Sequence, residues 1–491
     1  MTQIARADAI ARGKPWLWFA LFVVIVALLG GSSRPDPLQN AVLRPIAALL
    51  LIPALYHLRA ADLATARALL VLGGMVLVWM IVQLVPLPPS VWQALPGRDI
   101  VAGLDRLAGI DGIWRPISLA PFRGLNALLA LIVPVAAMLL MLGARLQTQT
   151  VLLAVTAMGA VNAVFGILQV VGGIRSPFYL FALTNRGAPA GIFANENHAA
   201  VFAGIVLLII ARLAGGDRFS GLPTWARLAL APLYVLILLA VLISGSRAGL
   251  GAAALAVGAG GLMMWTDMRA RKPASPVTAP VTAPVSAGAS QGHQHRRRLA
   301  LAGVGGVAAC LVAAAFILLG RAPAAADLLA SSATIDDLRW SLLPVLGAMM
   351  RDHWLAGTGF GAFDTVYRIY EPTALLLPLY VNQAHNDWAQ LVIEGGLPAA
   401  ACVLGLIGWL GATILRIARD KRHSRALVIF WITLLIIIMA ASAVDYPLRT
   451  PIFQSVLVWL LLCLARDAKA GNVRNGADPN GEMGWQRARI H

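Results

Sequence analysis

Charged residues are scarce in this chain: only 12% of its 491 residues are Asp, Glu, Lys or Arg, whereas 59% are hydrophobic. A soluble globular domain usually carries about a quarter charged residues, so the composition argues against one. Basic residues outnumber acidic ones by 39 to 22. That balance would suggest nucleic-acid binding in a soluble domain, but in a membrane protein it reflects orientation in the bilayer. The composition indicates an integral membrane protein with no nucleic-acid partner.

Cysteine is also rare, with three residues that each lie inside an apolar run, at Cys310, Cys402 and Cys463. They have no partner at metal-ligand spacing, which excludes a zinc site and a disulfide framework. His293 and His295 adjoin a run of arginines, and no further ligand follows at a suitable distance. We therefore expect no metal and no cofactor.

Long apolar runs are what the chain has in quantity. A helix needs about 20 largely apolar residues to cross a bilayer, where no water satisfies the backbone. Twelve runs qualify, which predicts an all-α, polytopic membrane protein with about 12 transmembrane helices. Their centres are 16–30, 41–56, 68–86, 124–143, 150–172, 198–211, 228–243, 248–266, 299–320, 396–415, 426–443 and 452–465. The basic N-terminus and first run could form a signal peptide, but the many later runs favour a retained helix.

These runs divide the chain into segments of different composition. Residues 273–290 are rich in Pro, Ala, Ser and Thr, which predicts disorder. The predicted segments are an N-terminus at 1–15, transmembrane helices 1–8 at 16–266, a disordered basic linker at 267–298, helix 9 at 299–320, a long, partly helical loop at 321–395 before the tenth helix, helices 10–12 at 396–465 and a tail at 466–491.

The basic residues orient these segments, since Lys and Arg are retained on the cytosolic side. The alternation places 25 of the 39 basic residues on the side of both termini. All four lysines, Lys14, Lys272, Lys421 and Lys469, lie there too. We therefore expect cytosolic termini, a cytosolic linker at 267–298 and a loop 321–395 outside the cytosol.

The loop 321–395 has features of a folded segment. Apolar residues recur at helical spacing between Asp336 and Met350, which predicts a helix lying on the membrane surface. A second, short helix should carry the stretch "AHNDWAQLVIEGG" at 384–396, directly before the tenth span.

Polar residues collect in three clusters at the outer ends of the spans, where charged groups are costly and often functional. They are "TNRGAPAGIFANENHAAVFAG" at 184–204, "SGSRAGLG" at 244–251, and the stretch at 384–396. Each cluster also has a structural explanation. Arg247 could contact lipid headgroups, Asn195 or Asn197 could cap the sixth span, and Asn386 could cap the helix that follows it. His198 and His385 could be packed or loop residues.

Taken together, the clusters suggest a chemistry. Arginine provides a forked donor for phosphate oxygens, and histidine removes a proton near neutral pH. This predicts a site for a phosphate-bearing lipid, with Arg186 and Arg247 on a diphosphate and His385 as the base for an acceptor hydroxyl. The remaining candidates for substrate binding are Asn195, Asn197, His198, Arg339 and Asn386.

Four blocks resemble the O-antigen ligase and polymerase superfamily of bacterial inner-membrane proteins. They are "FANENHAA" at 193–200, "SGSRAGL" at 244–250, "MMRDHWLAGTGFGAF" at 349–363 and "AHNDWAQLVIEGGLPAA" at 384–400. The resemblance covers roughly residues 150–450. It implies inverting, metal-independent transfer of a glycan from an undecaprenyl-diphosphate carrier, at the periplasmic face, to a glycan or lipid A core acceptor. It also implies that His385 is the base and that Arg247 binds the diphosphate.

Alternatives remain within and outside this resemblance. An O-antigen or exopolysaccharide polymerase, an O-antigen ligase and a protein O-oligosaccharyltransferase share one donor, and "FANENHAA" slightly favours a polymerase. A glycosyltransferase that uses a carboxylate such as Asp36 is more distant. A transporter or lipid-linked glycan flippase should carry charged residues in mid-span and an internal repeat, and neither is evident. The sequence leaves open the sugar, the linkage, the oligomeric state and any role of Glu196 or the linker.

Overall fold

The protein is a bundle of α-helices in the computed structural model, which describes residues 14–34, 37–215, 222–270, 334–376, 381–420 and 423–473. In chain order the helices are α1 (Trp16–Leu29), α2 (Leu38–His57), α3 (Ala60–Val82), α4 (Pro89–Trp92), α5 (Asp99–Leu107), α6 (Pro121–Ala130), α7 (Ile132–Gly143), α8 (Thr148–Gly172), α9 (Glu196–Ala214), α10 (Thr224–Leu242), α11 (Arg247–Ala270), α12 (Thr334–Asp352), α13 (Phe363–Tyr370), α14 (Asp387–Arg419), α15 (Arg425–Val444) and α16 (Pro451–Val473). Two short strands, β1 (Pro86–Leu87) and β2 (Arg115–Pro116), pair antiparallel. Short 3₁₀ turns cover Gly173–Arg175, Thr373–Leu375 and Pro447–Arg449.

Ten helical segments of the described chain are long and apolar enough to cross a membrane, and α1 is a shorter apolar helix of 14 residues. Eleven of the twelve predicted runs are therefore helical, with α6 and α7 together forming one span. The predicted ninth helix at 299–320 lies outside the described residues. Most of the linker 267–298 and of both termini lies outside them too. The predicted fold class, an all-α polytopic membrane protein, is confirmed.

Contacts between distant helices define two ends of the bundle. At one end, the Trp79 indole of α3 donates to the Gly395 carbonyl of α14 (2.7 Å). We call this the His385 end, because His385 directly precedes α14. At the other, far end, Arg212 of α9 and Asp467 of α16 form an ion pair of 2.9 Å. The described chain leaves the far end after α11 and resumes at the His385 end with α12.

Helix α9 is the central helix of the bundle, because almost all its side chains are buried. Helix α11 packs against it at very short range through small residues. A Cβ atom on Gly249 would lie 2.2 Å from the Ala200 Cβ, and one on Gly204 would lie 2.7 Å from the Ala252 Cβ. Such separations are shorter than any real carbon contact, so the glycines are needed for this approach. The start of α11 is thereby held against the start of α9.

The loop before α14 has a small apolar core of its own. The predicted helix over 336–350 is confirmed as α12. Leu342, Leu346 and Met349 are buried in a cluster with Phe363 and Tyr367 of α13. Helix α13 is therefore an apolar partner for this part of the stripe, whereas Leu343 is 44% exposed. The position of α12 at the membrane surface stays a prediction.

The loop docks on α14 where that helix kinks. Gly396 has a left-handed backbone (φ 61°) and separates the predicted short helix from the membrane-spanning part. Gly357 of the loop is also left-handed (φ 73°), and a Cβ added to it would lie 2.3 Å from the Glu394 carbonyl oxygen. Glycine tolerates this backbone without the Cβ penalty of other residues. The loop backbone can therefore bond to α14 directly, with Thr358 N–H donating to the Ile393 carbonyl (2.9 Å).

A buried arginine joins the segment between α3 and α6 to the same loop. Arg98 is 1% exposed, and its guanidinium donates to the carbonyls of Ile117 (2.6 Å) and Gly357 (2.8 Å). It also lies 3.0 Å from His353 Nδ1, which must accept because arginine only donates. His353 Nε2 then carries the proton and faces the Tyr370 hydroxyl at 3.1 Å. Two segments far apart in sequence are thus fixed to each other.

This contact makes the fold sensitive to acid. Burial, followed by the charge of Arg98, lowers the pKa of His353 from 6.5 to about 4. At a pH between 4 and 6.5 the unfolded chain binds a proton at His353 that the folded chain does not. The contribution of His353 to the free energy of unfolding is therefore complete above pH 6.5 and is lost as the pH falls towards 4. At pH 5 the loss is about 2 kcal/mol. We expect a lower Tm at pH 5 than at pH 7.5, measured by thermal unfolding in nanodiscs.

The His353→Asn variant provides the control, because an amide oxygen can accept from Arg98 without titrating. Its Tm should fall less between pH 7.5 and pH 5 than that of the original protein. An equal fall in both proteins would show that other groups cause the acid sensitivity.

Candidate active site

His385 lies in a turn that the start of α14 fixes. Asn386 caps the helix, since its side-chain oxygen accepts the Ala389 N–H at 3.0 Å. His385, one residue earlier, has a left-handed backbone with φ 50°. Few residues other than glycine adopt this conformation, although histidine does so more readily than most. Strained backbones of this kind occur often at functional sites, because the surrounding structure must hold them.

The imidazole of His385 faces the turn after α15. Its Nδ1 lies 3.5 Å from Oδ1 of Asp445, whose side chain is only 4% exposed. Nδ1 is itself buried, so the 23% exposure of the His385 side chain belongs to its other atoms. A carboxylate at one ring nitrogen fixes the tautomer and leaves the other nitrogen to accept a proton. The geometry suits a general base.

A second imidazole approaches the other oxygen of the same carboxylate. His198, on α9, places Nε2 3.7 Å from Asp445 Oδ2 and is 1% exposed. The Tyr446 ring lies edge-on to both imidazoles, with centroids 4.8 Å from His385 and 5.1 Å from His198. Elements that are distant in sequence therefore meet at one acid. Within the described ranges, no group of three or more Asp, Glu, His or Cys side chains could hold a metal ion. This applies to His385, His198 and Asp445 as well.

The charge of Asp445 is stabilised by its neighbours. Burial raises the pKa of this carboxyl group, but the imidazoles of His198 and His385 outweigh that effect and hold the pKa below its usual range. Asp445 is consequently an anion at neutral pH. An anion at this position stabilises any imidazolium that forms on His385.

An arginine fixes the turn that carries Asp445. Arg449 Nη1 donates to Glu394 Oε2 at 2.9 Å, and its Nε lies 3.5 Å from Asp387 Oδ1. Burial lowers the pKa of Arg449, but Glu394 and then Asp387 raise it above the usual value. Asp387 also accepts the Leu448 N–H at 3.1 Å. The turn and the first part of α14 are thus one unit.

Glu394, which the sequence places beside the candidate histidine, has a structural role in this arrangement. It is fully buried, and besides Arg449 it accepts from Gln390 Nε2 (3.1 Å) and from the Phe363 N–H (3.3 Å). Gln390 in turn accepts the Ala384 N–H at 2.9 Å, one residue before His385. This network ties the turn at His385 to α13 and α14.

The cluster before α9 is held by caps and amides. Asn195 caps α9 by accepting the Asn197 N–H at 2.8 Å. The Glu196 carboxylate accepts from Asn185 Nδ2 at 2.7 and 2.9 Å. Arg186 is exposed, donates to the Ile174 carbonyl at 3.2 Å and lies 5.4 Å above the Tyr179 ring. Its position is set by the loop after α8.

Two polar residues deep in α8 hold that loop in place. Gln169 donates to the Gly191 carbonyl (2.8 Å) and accepts the Gly191 N–H (2.7 Å). Asn162 accepts the Ile192 N–H (3.2 Å) and donates to the Ala199 carbonyl (3.2 Å). Buried backbone groups need such partners in a bundle that excludes water.

Arg247 is the first residue of α11 and is exposed. Ser246 caps the helix, since its hydroxyl oxygen accepts the Gly249 N–H at 3.0 Å. Because Gly249 touches Ala200, two residues after His198, Arg247 lies at the same end of the bundle as the two histidines.

The structure brings some predicted residues together and not others. His385 and His198 meet through Asp445, while Asn195 and Asn386 act as helix caps. Arg186 lies in a separate loop. Arg339 lies in α12, and its side chain is outside the described part of the structure. Direct substrate contacts of the predicted residues stay predictions.

Sequence reasoning missed Asp445 and Arg449. One signal was available, because Asp445 lies between the predicted spans 426–443 and 452–465, and their alternation puts it on the same side as the loop 321–395. An acid directly after a span on that side could have been paired with the histidine. Nothing in the sequence indicates that Arg449 would lie between Glu394 and Asp387.

Fold and site together define a polytopic α-helical membrane protein with a histidine–carboxylate centre at one end of the bundle. Residues 232–404 match the O-antigen ligase family. The match confirms the resemblance to the O-antigen ligase and polymerase superfamily, and it supports an enzyme of polysaccharide biosynthesis that transfers glycans. It includes Arg247 and His385, whereas His198 and Asp445 lie outside it. No curated protein matches the chain.

The contact of α11 with α9 can be tested with a small substitution. Gly249→Ala adds a methyl group that would lie 2.2 Å from the Ala200 Cβ, so the two helices must move apart. This movement also displaces Arg247. Overpacking of this kind costs about 1–3 kcal/mol. We expect a lower Tm and reduced activity, measured on purified protein in nanodiscs.

Gly251→Ala is the matched control, because a Cβ at that position of the same helix meets nothing within 4 Å. It should retain the original Tm. Similar losses in both variants would show that glycine is needed in α11 for reasons other than contact with α9.

Proposed function

We propose that the protein transfers a glycan from an undecaprenyl-diphosphate carrier to an acceptor hydroxyl, with inversion, at the periplasmic face of the inner membrane. The observation that carries this proposal is the pairing of His385 with Asp445. The match to the O-antigen ligase family supports the type of reaction. The predominance of basic residues on the side of both termini supports cytosolic termini and a periplasmic site. Residues 321–395 then form the catalytic loop.

In the proposed reaction, His385 removes the proton from the acceptor hydroxyl. The ring nitrogen away from Asp445 takes the proton, and the acceptor oxygen forms a bond to the anomeric carbon of the donor sugar. The resulting imidazolium is stabilised by the Asp445 anion at 3.5 Å. Attack from the side opposite the diphosphate inverts the anomeric carbon.

The bond that breaks joins the anomeric carbon to the diphosphate oxygen, and its electron pair leaves with the diphosphate. A diphosphate leaving group needs stabilisation of negative charge, and arginine guanidinium groups supply it. We assign this role to Arg247, with Arg186 as a second donor. Both side chains are exposed at the His385 end of the bundle.

The His385→Ala variant should lose transfer activity by about 10²–10⁴-fold, as expected when a general base is removed. The measurement is release of carrier diphosphate and formation of longer or acceptor-linked glycan by purified protein in nanodiscs. Undiminished product would remove His385 from the mechanism.

His423→Ala is a matched control for this change. His423 also faces a carboxylate, with its Nδ1 3.4 Å from Asp420 Oδ2, but it lies at the far end of the bundle. We expect activity close to that of the original protein. An equal loss in both variants would point to misfolding.

Arg247→Lys should reduce transfer by about tenfold or more, because an ammonium group cannot reproduce the two-pronged bond of a guanidinium to phosphate. Arg269→Lys, at the other end of the same helix, provides the control. Arg269 lies 3.9 Å above the Trp265 ring and is far from the site. Full activity of the Arg247 variant would favour a headgroup contact over catalysis.

The acceptor can be identified by deleting the gene and comparing surface glycans. Single repeat units attached to lipid A core, without long polymer, indicate a polymerase. Polymer retained on the carrier indicates a ligase, and loss of glycan from protein indicates an O-oligosaccharyltransferase. Unchanged glycans, together with no transfer by the purified protein, would contradict the proposal and favour a transporter or flippase.

A further inference from the structure

Each oxygen of Asp445 faces a different histidine, and Oδ1 also accepts the Tyr446 N–H at 3.0 Å. Oδ1 lies 3.5 Å from His385 Nδ1, and Oδ2 lies 3.7 Å from His198 Nε2. The first histidine is partly exposed, and the second is buried. The two imidazoles therefore do not have the same access to a substrate, although they share one carboxylate.

Aromatic side chains pack against His198. Its ring lies edge-on to Tyr446, and the rings of Phe193 and Phe453 have centroids within 6.5 Å. A polar ring buried among aromatic side chains is costly unless it has a polar partner. The carboxylate of Asp445 is the polar group that the geometry offers to it.

Other charged groups act on the same pair. Glu196 precedes His198 on α9, Asp387 begins α14, and Arg449 follows in the turn. Arg449 is neutralised largely by Glu394 and Asp387. The two imidazoles lie 3.5 and 3.7 Å from the oxygens of Asp445.

We propose that His198 is a positioning residue for the transfer reaction, which holds the Asp445 carboxylate towards His385 and limits how strongly that carboxylate attracts a proton to it. The inference rests on the proposed role of His385 as the base. Buried behind Tyr446, His198 acts through Asp445 and does not contact the acceptor.

The physical effect has a definite sign. A donor at Oδ2 withdraws part of the carboxylate's negative charge from Oδ1. Without that donor, Asp445 favours the imidazolium form of His385 more strongly, and the base stays protonated up to a higher pH. The contact of 3.7 Å is longer than a hydrogen bond, so the effect is electrostatic, on the order of one pH unit.

His198→Phe tests this, because phenylalanine keeps a ring in the aromatic cluster and removes the donor. We expect the acid limb of the pH profile of kcat/KM to move up by about one pH unit. His198→Gln places an amide donor near the position of Nε2 and should restore the original profile. Purified protein in nanodiscs is assayed with a lipid-diphosphate-linked oligosaccharide as donor.

Phe193→Leu is the packing control, since Phe193 belongs to the same cluster but carries no donor. It should lower the Tm and leave the acid limb in place. A profile of His198→Phe that coincides with the original, or an equal shift in Phe193→Leu, would overturn the inference. If these results occur while His385→Ala is inactive, only the role of His198 fails. An active His385→Ala would instead contradict the proposed function.

A second measurement covers the case in which His198→Phe has no activity. Diethyl pyrocarbonate modifies neutral imidazole, so the rate of labelling of His385, followed by mass spectrometry across pH, reports its protonation directly. The midpoint should move up by about one pH unit in His198→Phe. An unchanged midpoint would overturn the inference without reference to activity.

Discussion

The His385 end of the bundle depends on Arg449. This one cation lies between Glu394 and Asp387, two carboxylates about two turns apart on α14, and so attaches the turn after α15 to that helix. Leaving buried charges without a partner costs about 3–5 kcal/mol, so the three groups favour a single arrangement. Asp445, four residues earlier in the same turn, takes its place beside His385 as a result. The candidate base is oriented by an ion pair to which it does not itself contribute.

Backbone contacts complete what the ion pair begins. The loop that contains Gly357 bonds to the last turn of α14 before its kink, and Arg98 bonds to the same loop from the segment between α3 and α6. Trp79 and Gln83, at the end of α3, donate to carbonyls of Gly395 and Glu394. Polar groups near a membrane must find partners within the protein, and here those partners come from three separate parts of the chain. The loop is consequently fixed on several sides, which suits a site that must hold its geometry.

The sequence predicted most of the fold, because apolar runs of sufficient length have few alternatives to a membrane helix. It also predicted the helix α12 and the break before the tenth span. It did not identify α13, against which part of the apolar stripe of α12 packs, since periodicity does not identify a partner. For the site, it selected His385 through its motif but missed Asp445. That pairing arises from the packing of α14 against α15, and local sequence carries no information on such long-range contacts.

The contrast between arginines supports the division of roles proposed here. Arg98 and Arg449 are enclosed by carbonyl and carboxylate oxygens of the protein, and these contacts hold separate segments of the chain together. Arg186 is exposed in the loop before α9, and Arg247 is exposed at the start of α11. Neither arginine caps these helices, because Ser246 caps α11 and Asn195 caps α9. Exposed guanidinium groups at the His385 end are the arrangement that the proposed binding of a diphosphate needs, because guanidinium groups form paired hydrogen bonds to phosphate oxygens.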